Sequence, residues 1–210
     1  MSRTLLLLAA LAAALACRPI PATHYYVLAP LAERAGTGGE RPDGEQPDGV
    51  RLGVETFAVD PPYDQDRLVW RVGRDASEVG FYGHHRWAAS PGRLVATALA
   101  AGLAGTPGLA AVEPVTVGGR YSAVLAGRVV ALEEVDLPER QLARIQVDLK
   151  LFDAAGALVW SRLVTAEAGG RAEAPSDVMR QMQSAFEKLL AEVRGELAAV
   201  LAGSDSVDRD

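Results

Sequence analysis

Between residues 143 and 151 the chain alternates almost without fault. Ala143, Ile145, Val147, Leu149 and Leu151 are apolar, and Arg144, Gln146, Asp148 and Lys150 stand between them. A period of two puts every second side chain on one face, so this stretch predicts a half-buried antiparallel strand. Asp153-Ala154-Ala155-Gly156 predicts a tight hairpin connection and residues 158–166 the returning partner. Residues 121–135 predict another long strand. Upstream, Val50, Leu52 and Val54 alternate with Arg51, Gly53 and Glu55 in a strand over 50–58. Leu68, Trp70 and Val72 alternate with Arg71 and Gly73, and a turn at 74–77 leads to a partner at 79–82; a further strand is expected at 25–28. The period changes to three and four in two places. Ser90-Pro91 reads as an N-cap with proline at the first helical position, followed by Leu94, Val95, Ala98, Leu99, Gly102 and Leu103. Ser176 is the expected cap of a final helix to residue 202, whose apolar residues run from Val178 through Phe186 and Val193 to Leu201. At 1.5 Å per residue that helix is about 37 Å long, enough to cross a sheet. Arg180, Gln183, Glu187, Lys188 and Arg194 opposite supply too few cations for a lipid-seeking helix, which favours packing on the sheet. The prediction is a single α+β domain: an antiparallel sheet with two helices packed on one face.

The ends carry a different pattern. After Arg3 the chain is apolar from Leu5 to Leu15, a charged start and a hydrophobic run of secretory length that Cys17-Arg18-Pro19 stops before it could span a bilayer. Ala14-Leu15-Ala16-Cys17 resembles the lipobox of bacterial lipoproteins, which implies removal of residues 1–16 and lipid attachment at Cys17. Cys17 is the only cysteine, and acylation would use a thiol otherwise left unpaired in an oxidising compartment. Each buried methylene of an acyl chain contributes about 0.8 kcal/mol, so several chains on one residue anchor firmly. By resemblance to lipoprotein sorting rules, Arg18 in place of Asp favours the outer membrane over inner-membrane retention. The expected organisation is a signal peptide over 1–16, a lipid-anchored tether over 17–24, the domain over 25–203 and an acidic tail over 204–210. Residues 35–49 hold no large apolar side chain and repeat Pro-Asp-Gly, which predicts a mobile loop inside the domain. The net charge of −6, one unit more negative without Arg3, argues against broad attraction to nucleic acid or anionic head groups.

No catalytic constellation emerges, and no cofactor is expected. The histidines are His24, His84 and His85, and two adjacent histidines cannot share one helical face as metal ligands at i, i+4 do. Ser122 lies in no G-x-S-x-G elbow. Asp64, Asp66 and Asp75 fall at positions one, three and twelve of a calcium loop, but Val69 stands where the sharp turn requires glycine. Gly36-Thr37-Gly38-Gly39 leads into no helix and is no dinucleotide fingerprint. The expectation is a protein that is not an enzyme and holds no metal.

Cys17, the Tyr25–Leu28 strand, Pro62 to Arg67, Arg86-Trp87-Ala88 at a helix start and the long C-terminal helix occur in an order that resembles the ABC-type transport auxiliary lipoproteins, the PqiC-like family. Gln65 lengthens the usual tyrosine-to-arginine spacing, and Ser90-Pro91-Gly92 replaces the commoner proline-leucine. The resemblance implies an accessory lipoprotein on the periplasmic face of the outer membrane, partnering the MCE-domain protein of an ABC lipid transporter whose permease and ATPase are separate chains. Homo-oligomerisation stays open, and nucleic acid is no expected partner. The alternative is an envelope assembly lipoprotein that chaperones an outer-membrane component, and a third reading, a periplasmic hydrolase, lacks a nucleophile. Tyr63, Arg67, Tyr82 and Trp87 are the partner-interface candidates, because aromatics and arginine concentrate binding energy. For Tyr82 and Trp87 the competing reading is core packing, and for Arg67 an internal ion pair with Asp64 or Glu78.

Overall fold

A computed structural model describes residues 21–29, 49–74, 77–171 and 174–207. Cys17, the signal segment and nearly all of the 35–49 loop lie outside them. The described chain forms nine strands and two helices, an α+β fold. The strands are β1 (His24–Tyr26), β2 (Val50–Val54), β3 (Ala58–Val59), β4 (Arg67–Val72), β5 (Val79–Trp87), β6 (Leu109–Pro114), β7 (Ala123–Leu137), β8 (Arg140–Asp153) and β9 (Leu158–Gly170). The helices are α1 (Pro91–Leu103), between β5 and β6, and α2 (Pro175–Val207), after β9.

β7 is the spine. One edge pairs antiparallel with β8 from Ala123↔Asp153 to Leu137↔Arg140, and β8 pairs antiparallel with β9. At the β8–β9 turn the Asp153 carboxylate accepts the amides of Ala155 and Ala157, and Gly156 adopts a positive φ. The other edge of β7 is covered in pieces by parallel segments: β2 beside Ala123–Leu125, β3 beside Arg128–Val129 and β4 beside Glu133–Asp136. β5 pairs antiparallel with β4, β1 parallel with β5, and β6 parallel with β2. The sheet is therefore mixed, though mostly antiparallel. The sequence pattern had not disclosed its parallel pairs, nor β6, whose short apolar run carries no period.

The apolar faces of β7, β8 and β9 meet α1 and α2 in one core built on residues such as Leu125, Ile145, Leu149, Val164, Leu99, Phe186 and Val193. α1 docks closely. A Cβ at Gly92 would overlap the Phe57 carbonyl oxygen, and one at Gly102 would overlap the Leu190 side chain. The Arg194 guanidinium donates to the Gly102 carbonyl at 2.6 Å and ties the helices together. Ser90 occupies the N-cap of α1 without a side-chain capping bond, while Pro91 supplies the preset first turn. Ser176 does not cap α2: Pro175 opens it, and Asp177 accepts from the Ala174 amide at 3.1 Å. α2 continues through Gly203 to Val207, into the expected acidic tail. An interior glycine costs about 1 kcal/mol relative to alanine and does not by itself end a helix.

The fit at Gly92 sets a measurable limit. In Gly92→Ala a gain in helix propensity is outweighed by the clash with backbone, and the variant is expected to lose about 1–3 kcal/mol in urea unfolding. Unchanged stability would show that α1 is free to shift away from Phe57.

Candidate functional site

The segment between β3 and β4 leaves the sheet plane and returns across its helix-free face. The Pro61–Pro62 peptide bond is cis. The Tyr63 amide donates to the Asp60 carbonyl at 2.9 Å, and the Gln65 side chain donates to the Pro62 carbonyl at 2.8 Å, folding residues 60–66 into a strap. Its ends are tied by charge. Arg128 donates to Asp60 at 3.2 Å, and Arg86 donates to both oxygens of Asp66 at 2.8 and 2.7 Å.

Beneath the strap lies a buried carboxylate. β7 changes the face of its side chains at a bulge between Val129 and Ala131, so Val129 points to the helices while Ala131 and Glu133 point away. The Glu133 side chain is fully buried. The Tyr63 hydroxyl, on a side chain 5% exposed, donates to Glu133 Oε2 at 2.6 Å. Arg71 Nε donates to the same oxygen at 3.0 Å and Arg71 Nη2 to the Tyr63 hydroxyl at 3.0 Å. Arg144 Nε donates to Oε1 at 3.0 Å, with Nη2 joining it. A buried carboxylate costs several kcal/mol unless its charge is met and its lone pairs filled, and here two guanidiniums and a phenol do both. Arg144 also lies opposite Glu167 on β9, and Glu167 is gripped through both oxygens by Arg74. Alternating charges thus cross the sheet from β4 to β9. Burial, and next the hydrogen bond to Glu133, push Tyr63 up to about 12, while Arg74 holds Glu167 below its ordinary range. Tyr63 is a neutral donor at physiological pH, a lock rather than a nucleophile.

Glu134 points to the other face and is also held by a tyrosine, Tyr82, whose hydroxyl donates to Oε2 at 2.5 Å. Burial raises both the Glu134 carboxyl and the Tyr82 phenol. Beside them β1 is fastened through one imidazole: the His85 ring stacks on His24, meets Tyr82 edge-on and hydrogen-bonds the Tyr26 hydroxyl at 2.8 Å. Burial, then His24 and His84, lower the pKa of His85.

The four interface candidates do not form one patch. Tyr63 and Arg67 belong to the helix-free side, whereas Tyr82 and Trp87 lie on the helix side. Trp87 is 3% exposed and packs in the main core. Arg67 makes no ion pair with Asp64 or Glu78; its Nε donates to Gln65 at 3.2 Å, and its guanidinium sits 4.8 Å from the centre of the Phe81 ring. Sequence reasoning missed Glu133, Arg71, Arg144 and Glu134. The available signal was the pair Glu133-Glu134 inside an otherwise apolar strand, because a charge there demands a partner. Among the described residues no group of three His, Cys, Asp or Glu could hold a metal, and no helix is long and apolar enough to cross a membrane.

Glu133→Gln leaves Arg71 and Arg144 facing a neutral amide and is expected to cost about 3–5 kcal/mol in denaturant unfolding. Tyr63→Phe removes one bond to a charged acceptor, an expected loss of about 1.5–3 kcal/mol, and less than additive losses in the double variant would report the coupling. For His85, a lowered folded pKa means the folded state binds its proton less readily than the unfolded chain. Its contribution is therefore present above about pH 6.5 and lost as pH falls through the lower folded value. Glu134, shifted upward, works in the opposite sense near its own range, so the readout must be local. The Ala88 amide, bonded to the Tyr26 carbonyl at 2.8 Å, is expected to lose hydrogen-exchange protection on acidification, and His85→Phe to lack that dependence.

Comparison with known proteins agrees with this architecture. No curated protein matches the chain in sequence. Protein XCC0632 from Xanthomonas campestris, of the DUF330 family, superposes with a TM-score of 0.67 at 18% identity, covering 87% of this chain and 99% of its own. A second crystal structure, of an uncharacterized protein, gives 0.63 at 16% identity over 84% and 99%. These likenesses establish the fold. Residues 26–194 match the family described as ABC-type transport auxiliary lipoprotein component. With the match running from β1 into α2, the chain belongs to that family of auxiliary lipoproteins.

Proposed function

We propose that the chain is an outer-membrane-anchored, non-catalytic docking component of an MCE-type ABC lipid transporter, held to the periplasmic face by acyl chains on Cys17. The observation that carries the reading is Cys17 itself, at the end of an apolar run and nine residues ahead of a match to a lipoprotein family. Arg18 in the following position supports the outer membrane as the destination. A permease and an ATPase on other chains would supply the energy, and this chain a fixed, rigid contact. Rigidity is what the Glu133 network provides. Tyr82, partly open on the helix side, stands as the partner contact; Arg67, also partly open, lies on the opposite face. Tyr63 and Trp87, which are buried, act behind them by holding the strap and the end of β5.

The deciding experiment combines fractionation with affinity capture. The unsubstituted chain is expected in the outer-membrane fraction with a mass increment on Cys17, and Cys17→Ser in the soluble fraction. Capture of the membrane-extracted protein is expected to recover an MCE-domain protein. Recovery of a β-barrel without any MCE protein would overturn the transporter assignment, and an unmodified, soluble wild-type chain would overturn the anchor.

A further inference from the structure

The exposed apolar side chains are unevenly distributed. α1 and α2 cover one face of the sheet; Tyr25, Val115, Val117, Leu158 and Leu163, all 40% exposed or more, belong to the other. Tyr25 precedes Tyr26, which packs on the main core, so the two point to opposite sides. Leu163 likewise precedes the buried Val164, and Leu158 is paired with Phe152, on the side away from the buried Leu151. Val72 is an exception, on the helix side, and two further exposed valines are assigned to neither face: Val27 follows the end of β1, and Val159 is the unpaired residue at the β8–β9 register shift.

Val115 and Val117 are held out by construction. The link from β6 to β7 crosses the helix-free face of β2, so closely that a Cβ at Gly53 would overlap Tyr121 and Val115. The Tyr121 hydroxyl accepts from the Thr116 amide at 3.0 Å and donates to the Pro114 carbonyl at 3.1 Å, while Gly118 takes a positive φ. A loop fastened this way presents Val117 wholly to solvent.

Most charges on this face are already matched, Arg67 over the Phe81 ring and the exposed Lys150 between Leu149 and Leu151 being the ones without a carboxylate partner. Arg51 pairs with Glu113, Arg86 with Asp66, Arg128 with Asp60 and Asp148, Arg74 with Glu167, and Arg71 and Arg144 with Glu133. Charges paired in the plane of the sheet lose less on removal from water than isolated ones. On the helix side, α2 instead presents Lys188 and Glu192 to solvent.

We infer that the helix-free face of the sheet lies against a zwitterionic lipid surface, the bilayer that holds the acyl anchor. The inference rests on the acylation of Cys17 proposed above. Six residues lie between Cys17 and His24, where the sheet begins, and the seven steps fully extended reach about 25 Å at most. An anchor that short keeps the domain at the bilayer and raises the effective concentration of lipid at whichever face can accept it. The net charge of −6 opposes an anionic surface, whereas shallow insertion of valine, leucine and tyrosine side chains suits an uncharged one.

The anchor leaves no free thiol in the mature chain, so single cysteines can report the contact. Val117→Cys, Leu163→Cys and, on the exposed side of α2, Glu192→Cys are placed in the full acylated chain. Each is reconstituted in vesicles of phosphatidylethanolamine and phosphatidylcholine and reacted with a membrane-impermeant maleimide. The same substitutions in the Cys17→Ser chain without vesicles give the bare accessibility. Relative to that reference, labelling at 117 and 163 is expected to fall roughly tenfold while labelling at 192 is unchanged. Equal rates at all three positions would overturn the inference. Protection in whole envelopes but not in vesicles would overturn the lipid occupant and indicate a protein. Label on Cys17 in the unsubstituted chain would overturn the acylation and the inference with it; a silent Cys17 with fast labelling at 117 and 163 would overturn the lipid contact alone.

Discussion

A single ionised side chain, Glu133, organises the helix-free half of this molecule. It is buried without access to water, so its position is tolerable only while Arg71, Arg144 and Tyr63 are all in place. Those three residues come from β4, β8 and the strap, and their convergence fixes three separate pieces of chain relative to β7. A hydrophobic patch of similar size would hold the pieces together but would tolerate sliding. A carboxylate with directed partners does not, because each displacement leaves a charge or lone pair unmet in a medium that cannot compensate it.

The most regular parts of the fold were legible in the sequence. The alternation through β8, the Asp153–Gly156 turn, the β4–β5 pair and α1 all appear where the period places them, since each depends on neighbours close along the chain. The Glu133 site was not legible, for two physical reasons. Its members are scattered, Tyr63 and Glu133 lying 70 positions apart, and alternation says which face a residue takes but never which strand lies beside it. The bulge after Val129 then reverses the alternation inside β7, so a single period assigned to residues 121–135 puts Glu133 on the wrong face. In the sequence alone the strap residues form only a motif. Their role became visible once the sheet supplied the carboxylate they cover.

The two glutamates divide the work by face. Glu133 secures the strap, whereas Glu134, through Tyr82, borders the imidazole that fastens β1. β1 is three residues long and is the first strand after the expected attachment point. Any pull exerted through the N-terminal segment therefore reaches the sheet through His24, Tyr26 and His85 before it reaches anything else. The junction between tether and domain is thus a strand with only three residues in register on β5.

The segmented edge of β7 has a consequence for biogenesis. Residues 50–72 leave the ribosome well before β7, the strand that receives them, and until it exists they can pair only through β4 with β5 and through β2 with β6. Non-local pairing of this kind delays closure until the later meander exists. A chain arranged in this order stays open through most of its synthesis, a property compatible with threading through a translocation pore before it consolidates on the far side.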